Sequence, residues 1–475
     1  MKFVSYNNYI NISQSLFLIV SFIMFILSPD GWNTSFVNTI IFLTLLLFFN
    51  QVLICKFIKK EKGIIQLELV FFMMFFFTIL WIWFAGFIGL AEIGRLPQGY
   101  DEVVNYSVSL SFFAISTFLF AYNLHHKQVK GNDTNFLSRK NKGWIRVGNI
   151  IFYSGVLMVF LYVFVFGTAS FIGSYIGHEG NLLTRALYLL QSIFVKVGII
   201  ICLVTQSDKT RRMPKIKHHI IPFGFVLLMY VFTGDRSELI FTLATAVFAY
   251  SVSFKHIPLS VVLVGVLVLG ILSSAVRIFR EYDERTLGSL VELILNPSEE
   301  VSVEGGVANI ASSGLLLLAA TNAVPEKFDY FNGKLKVMEA LGVIPFGRFF
   351  FGDFAGASHY EKKDYNTSFW LTWLVIGPQA TWGVGTNIVA DLYIDFGPLG
   401  VFLGMYFLGF LGGYFKTRFH VSNSLVFIFM YCYFAGFMTI LPRYGILSII
   451  RGLLWPFLLI KLSEYFFRVK KKTAK

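Results

Sequence analysis

Cysteine is scarce in this chain, and the few present stand apart. Cys55, Cys202 and Cys432 are three in 475 residues, each within or at the end of an apolar run, with no CxxC and no Cys/His cluster. An odd number in that arrangement argues against a disulfide framework and against structural zinc. Other signatures are missing too. There is no DxD, which argues against a metal-dependent nucleotide-sugar transferase, and no GxxxxGK[ST], so ATP is not the energy source. Neither GxSxG nor HExxH is present, so nothing points to hydrolysis. Acidic residues are few, 27 against 40 lysines and arginines, leaving a charge of +13. In a soluble protein that balance would suggest nucleic acid; in a membrane protein it marks basic cytoplasmic loops, and no nucleic-acid partner is expected.

The chain is otherwise dominated by apolar residues. They make up 56% of it, with 55 phenylalanines and a mean hydropathy of +0.67. No soluble core of this length hides so much apolar surface. The fold class is an all-α polytopic membrane protein. Runs long enough to cross a bilayer, roughly 20 residues each, fall near 9–28, 36–55, 65–91, 103–123, 146–166, 185–205, 219–232, 237–254, 257–276, 398–415, 424–441 and 446–467. That gives about twelve helices. The first, Tyr9 to Leu27, has no small-x-small cleavage site and reads as a retained helix.

Alternate links set the orientation. KFIKKEKG, SDKTRRMPKIKHH, KTRFH and the C-terminal VKKKTAK are basic, whereas SPDGWNTS, EIGRLPQGYDE, TGDR and LPRYG are much less so. The positive-inside rule puts both termini in the cytoplasm. It divides the chain into helices 1–9 (1–276), a long outer loop (277–397), and three last helices with a basic tail (398–475). A loop of that length is usually functional. Two apolar stretches lie within it, 305–324 and 368–382. The 325–367 stretch between them carries six basic and six acidic residues, without the excess of an inside loop. Both stretches are therefore expected to lie on, or dip into, the outer face.

Basic residues on the outer side run against the general distribution and draw attention for that reason. In TGDRSE, Asp235 and Glu238 have the spacing of a helix capping box. Arg236, in a first helical turn, opposes the macrodipole and is expected to face an anion. Arg277, Arg280 and Glu281 fall at i, i+3 and i+4, on one helical face. Arg348, His359 and Arg443 are further outer-side candidates. In GTNIVADLYIDFGPLG, Asn387, Asp391 and Asp395 are four apart and form one polar stripe on a short helix, after which Pro398 restarts a spanning one. Carboxylates at such depth face a cavity or a partner.

With those residues in view, the chain resembles the Wzy-type O-antigen polymerases. The resemblance rests on FTGDRSELI (Phe232 to Ile240), on VADLYIDFGPLGVFLG (Val389 to Gly404), and on the long outer loop between them. The first helices match in hydropathy only. The family implies a GT-C-like scaffold in the bacterial inner membrane, with no cofactor and no metal. It implies glycosyl transfer at the periplasmic face between undecaprenyl-pyrophosphate-linked oligosaccharides, and partners among membrane lipids and a chain-length regulator. In that chemistry Arg236, Arg277, Arg280, Arg348 and Arg443 would bind pyrophosphate, since guanidinium suits phosphate oxygens. Asp391, Glu281 or His359 would serve as base. Asn387, Asp395, Tyr393 and Tyr360 would contact sugar. The rivals are an O-antigen ligase, which shares the lipid-linked donor, and a flippase, which would spread its charges through the helices.

Overall fold

The computed structural model describes residues 2–59, 66–89, 99–125, 142–166, 182–206, 217–254, 303–343, 362–380, 383–421 and 424–473, with Ile257 and Gly265. Among these the chain is all-helical. The first half comprises α1 (Lys2–Ile26), α2 (Thr34–Leu53), α3 (Leu67–Phe75) continued through a π-helical turn into α4 (Trp81–Phe87), α5 (Val104–His125), α6 (Lys142–Phe166), α7 (Leu182–Thr205), α8 (Lys217–Thr233) and α9 (Arg236–Ser253). Then come α10 (Val303–Ala323), α11 (Lys334–Leu341), α12 (Thr367–Ile376), α13 (Ile388–Val421), α14 (Leu425–Phe437) and α15 (Ser448–Thr473).

Seven spans among the described residues are long and apolar enough to cross a membrane, in α1, α2, α3–α4, α5, α6, α7 and α13. The segments expected at 219–232, 237–254, 424–441 and 446–467 are helical as α8, α9, α14 and α15. They do not meet the same standard of length and apolarity. Apart from Ile257 and Gly265, the segment 257–276 lies outside the described residues.

Helix α5 is the axis of the first half. Nearly all its side chains are buried, and phenylalanines tie it to its neighbours: Phe71 lies 4.2 Å from Phe118, and Phe113 stacks between Phe25 and Phe402. Helices α1, α2 and α6 turn large apolar residues outward instead, among them Ile12, Leu16, Ile19, Phe42, Phe49, Leu157 and Phe164. Continuous apolar faces of this kind would be liabilities in water and are suited to lipid.

The links sort onto two ends. At one, Asn105 on α5 donates to the carbonyl of Pro29 at 3.0 Å and accepts from the Asn33 N–H at 3.2 Å, and Ser107 bonds Thr321 at the end of α10. At the other, Gln51 accepts from Gln14 and Asn123, and Thr417 donates to the carbonyl of His125. Helix α10 runs down into the bundle: an added Cβ at Gly314 would stand 2.5 Å from the carbonyl oxygen of Ile79, in the π-helical turn. Helix α13 is two helices in one. Gly397 breaks it at φ 62°, ψ −154°, backbone space that only glycine occupies readily. Pro398, which disfavours a helical residue before it, then restarts the long arm. The short arm, 388–396, folds against the long one: a Cβ at Gly404 would lie 2.3 Å from Leu392.

Candidate functional site

The short arm of α13 starts on Asn387, whose carboxamide oxygen accepts the Ala390 N–H at 2.7 Å, an N-cap. Its Nδ2 donates to the carbonyl of Ser313 in α10 at 2.5 Å. Asp391 and Asp395, one turn apart, are both fully buried. Lys336 of α11 reaches between them, 2.6 Å from Asp391 and 2.9 Å from Asp395.

The remaining carboxylate oxygens hold backbone. Asp391 Oδ2 accepts the Ile446 N–H at 2.8 Å, and Asp395 Oδ1 accepts the Gly333 N–H at 3.2 Å. The Asn332 N–H bonds the carbonyl of Asp395, and Lys336 also donates to Thr367 Oγ1 at 3.3 Å. Residues 332–336, 367, 388–396 and 445–446 thus converge on one pair of carboxylates. Gly445 is part of the fit, because a Cβ there would stand 2.8 Å from Asp391 Oδ1. Burial lowers the proton affinity of Lys336, but the two aspartates more than offset it and hold the ammonium above its ordinary value.

One turn further along α11 is Glu339, half-buried beside this group. Desolvation and the nearby Asp391 raise its carboxyl, and Lys336 and Arg451 lower it; the balance lies at about 7. Arg451 stands exposed near the start of α15. Tyr433 of α14 lies within electrostatic reach of both Arg451 and Glu238, which links this centre to a second ionic group.

That second group joins α7 to α9. Asp235 caps α9, its Oδ1 accepting the Glu238 N–H at 3.0 Å. The return half of the capping box is absent, because the Asp235 N–H is held by the carbonyl of Tyr230. Glu238 turns instead to Lys196 and to Ser192, the latter at 2.7 Å, and Tyr188 donates to Asp235 Oδ2 at 2.6 Å. Lys196 is almost wholly buried and lies over the Phe241 ring at 4.0 Å. Removing one partner from a buried pair leaves an uncompensated charge. Lys196→Met should therefore destabilise by roughly 3 kcal/mol, read as a lower melting temperature of the purified protein. Adding Glu238→Leu should restore most of it. Equal melting temperatures for wild type and Lys196→Met would show the pair to be neutral.

The structure assigns the sequence candidates unevenly. Asp391 and Asp395 come together, on the stripe expected of them. Asn387 belongs to that stripe but caps the helix and ties it to α10. Tyr393 is a framework residue: its hydroxyl donates to the carbonyl of Val324 at 3.1 Å and its ring packs on Tyr106 and Tyr330. These contacts set the short arm at the end of the bundle that carries Asn33 and Asn105. Arg236 and Arg443 are half-buried in two tips, and Arg443 precedes the Gly445–Ile446 segment that packs on Asp391. Arg277, Arg280, Glu281, Arg348, His359 and Tyr360 lie outside the described residues. Sequence reading passed over Lys336, Glu339, Lys196 and Arg451. Lys196 had a signal, a lone lysine inside an apolar run. In the sequence Lys336 is one of the six basic residues of 325–367, with nothing local to set it apart. Among the described residues no group of three His, Cys, Asp or Glu is arranged to hold a metal.

Fold and site together define a multi-pass helical membrane protein in which a broken helix and a short helix beside it form a buried Asp–Lys–Asp centre. The family model for O-antigen polysaccharide polymerase Wzy matches residues 9–471, and the chain belongs to that family. It is accordingly a membrane polymerase of O-antigen repeat units, a glycosyltransferase-type enzyme of lipopolysaccharide biosynthesis. The resemblance in FTGDRSELI and VADLYIDFGPLGVFLG holds, and it extends through the first helices as well. Searches of curated proteins and of solved structures gave no match.

Proposed function

We propose that this protein joins undecaprenyl-pyrophosphate-linked oligosaccharide repeat units at the periplasmic face of the bacterial inner membrane, by inverting, metal-independent glycosyl transfer. The observation that carries the reading is the match to the O-antigen polymerase family along nearly the whole chain. The clustering of buried and half-buried charge around the short arm of α13 supports it. The twelve-helix GT-C-like scaffold, cytoplasmic termini and a chain-length regulator as partner belong to the same proposal.

In the reaction an acceptor sugar hydroxyl attacks the anomeric carbon of the donor while its bond to pyrophosphate breaks. Negative charge grows on the leaving group, and fixed cations aimed at that charge are the main source of rate. Arg236 and Arg443 are the described arginines suited to it, with Arg277, Arg280 and Arg348 proposed from sequence. Polymerisation by the purified protein is expected to continue in excess EDTA. Loss of activity on chelation, restored by a divalent ion, would count against the arginines as its source.

The deciding experiment is the lipopolysaccharide banding of a deletion strain. Core bearing a single repeat unit is the expected pattern. Bare core would make the protein a ligase, and an unchanged ladder would remove it from the pathway.

A further inference from the structure

Resting on the polymerase reading, we infer that Glu339 is the general base that takes the proton of the acceptor hydroxyl, and that Asp391 holds the frame around it. A general base needs an oxygen lone pair within reach of the proton it removes. Asp391 presents none to a hydroxyl in this arrangement: it is fully buried, and each oxygen is already engaged, one by Lys336 at 2.6 Å and the other by the Ile446 N–H at 2.8 Å. Asp395 is fully buried too, with one oxygen 2.9 Å from the Lys336 ammonium and the other accepting the Gly333 N–H.

Glu339 differs from both. It is on α11, three residues beyond Lys336 and so on the same side of the helix. It is half-buried, and among the described residues it makes no hydrogen bond or ion pair. The charged groups acting on it are Lys336 from its own helix, Asp391 and Asp395 from α13, and Arg451 from α15. The segment Lys362–Tyr365, packed beside α11, adds Asp364 and Tyr365 as described titratable residues. Desolvation and Asp391 together keep its carboxyl near neutrality, the range in which a base is both deprotonated and strong enough to accept. Lys336 therefore has two tasks: it neutralises the aspartates, and it limits how far they raise Glu339.

The step balances without a co-reactant. The acceptor O–H proton passes to the Glu339 carboxylate as the oxygen bonds to the anomeric carbon. The electron pair of the broken bond leaves with the lipid pyrophosphate, and Glu339 then returns its proton to water.

The test uses the purified full chain with lipid-linked repeat units extracted from a strain lacking this polymerase. Single-turnover transfer is followed against pH, and binding of undecaprenyl pyrophosphate is measured alongside. For the wild type the rate should climb through pH of about 7 and then level, because the carboxyl is protonated below that value and ionised above it. Glu339→Gln should slow transfer by roughly 10²–10⁴-fold and lose the pH limb, with pyrophosphate binding intact. Glu339→Asp should recover part of the rate together with the limb.

Wild-type turnover by Glu339→Gln would overturn the assignment, and so would loss of pyrophosphate binding in that variant, which marks a structural residue. If Glu339→Gln does not fold, the wild-type profile decides, since a rate flat with pH rejects a base of this kind. Absence of any polymer from the wild-type chain strikes the polymerase reading itself, and is seen before any variant is compared.

Discussion

Lys336→Met is expected to yield a protein that is barely recovered in folded form and does not polymerise. Among the described residues the ammonium is the only charge within 3 Å of two fully buried carboxylates, and its own side chain is mostly enclosed. Removing it leaves two like charges one helical turn apart with no counter-ion among the described residues. Breaking a buried pair by deleting one partner costs about 3–5 kcal/mol, a large part of the stability of an ordinary domain. The aspartates relieve the strain only by taking up protons, which weakens their hold on the Ile446 and Gly333 N–H groups.

The check is the yield and melting temperature of detergent-purified variants. A triple variant, Lys336→Met with Asp391→Asn and Asp395→Asn, should regain most of the lost stability, because it removes the uncompensated charge. It should stay inactive. Normal stability of Lys336→Met would mean that water or lipid headgroups reach this centre freely.

Arg236→Ala is the second large effect, and it should fall on activity rather than folding. Arg236 lies between Asp235 and Glu238, both of which are engaged with α7 through Tyr188, Ser192 and Lys196. The turn that presents it is therefore fixed by its neighbours. A positive side chain in the first turn opposes the helix dipole, an arrangement that an incoming anion would reverse to advantage. Loss of one preorganised group of this type lowers turnover by about 10²–10³-fold. Arg236→Lys should recover only part of that, since it keeps the charge and loses the paired N–H geometry. The measurement is the O-antigen ladder in cells matched for protein level. Full-length ladders from Arg236→Ala would assign pyrophosphate to other arginines.

The fold class, most helix positions and the polar stripe were readable because each depends on a local period. Asn387, Asp391 and Asp395 recur every four residues, and Gly397–Pro398 is a local stop. What the sequence hid was pairing over distance. Lys336 and Asp391 are 55 residues apart, and nothing in GKLKVMEAL says which carboxylate its lysines meet. Glu238 shows the same limit. Its spacing from Asp235 suggested the reciprocal bond of a capping box, but a lysine on another helix competes better for a carboxylate than a backbone N–H does. Arg451 was hidden differently: it begins a helix that also ends in a basic tail, and its neighbourhood with Glu339 exists only in three dimensions.

The buried lysine of α7 also bears on how the chain is made. Lys196 is synthesised before Glu238, the carboxylate that neutralises it, and the whole of α8 lies between them. During biogenesis α7 is thus presented to the insertion machinery with a bare cation near its middle. A lysine there opposes insertion by about 2.5–3.5 kcal/mol on the translocon scale. The leucines, isoleucines and valines of LLTRALYLLQSIFVKVGIIICLVT supply the opposing drive. Those apolar residues are expected to hold α7 in the membrane until α9 brings Glu238 to the lysine.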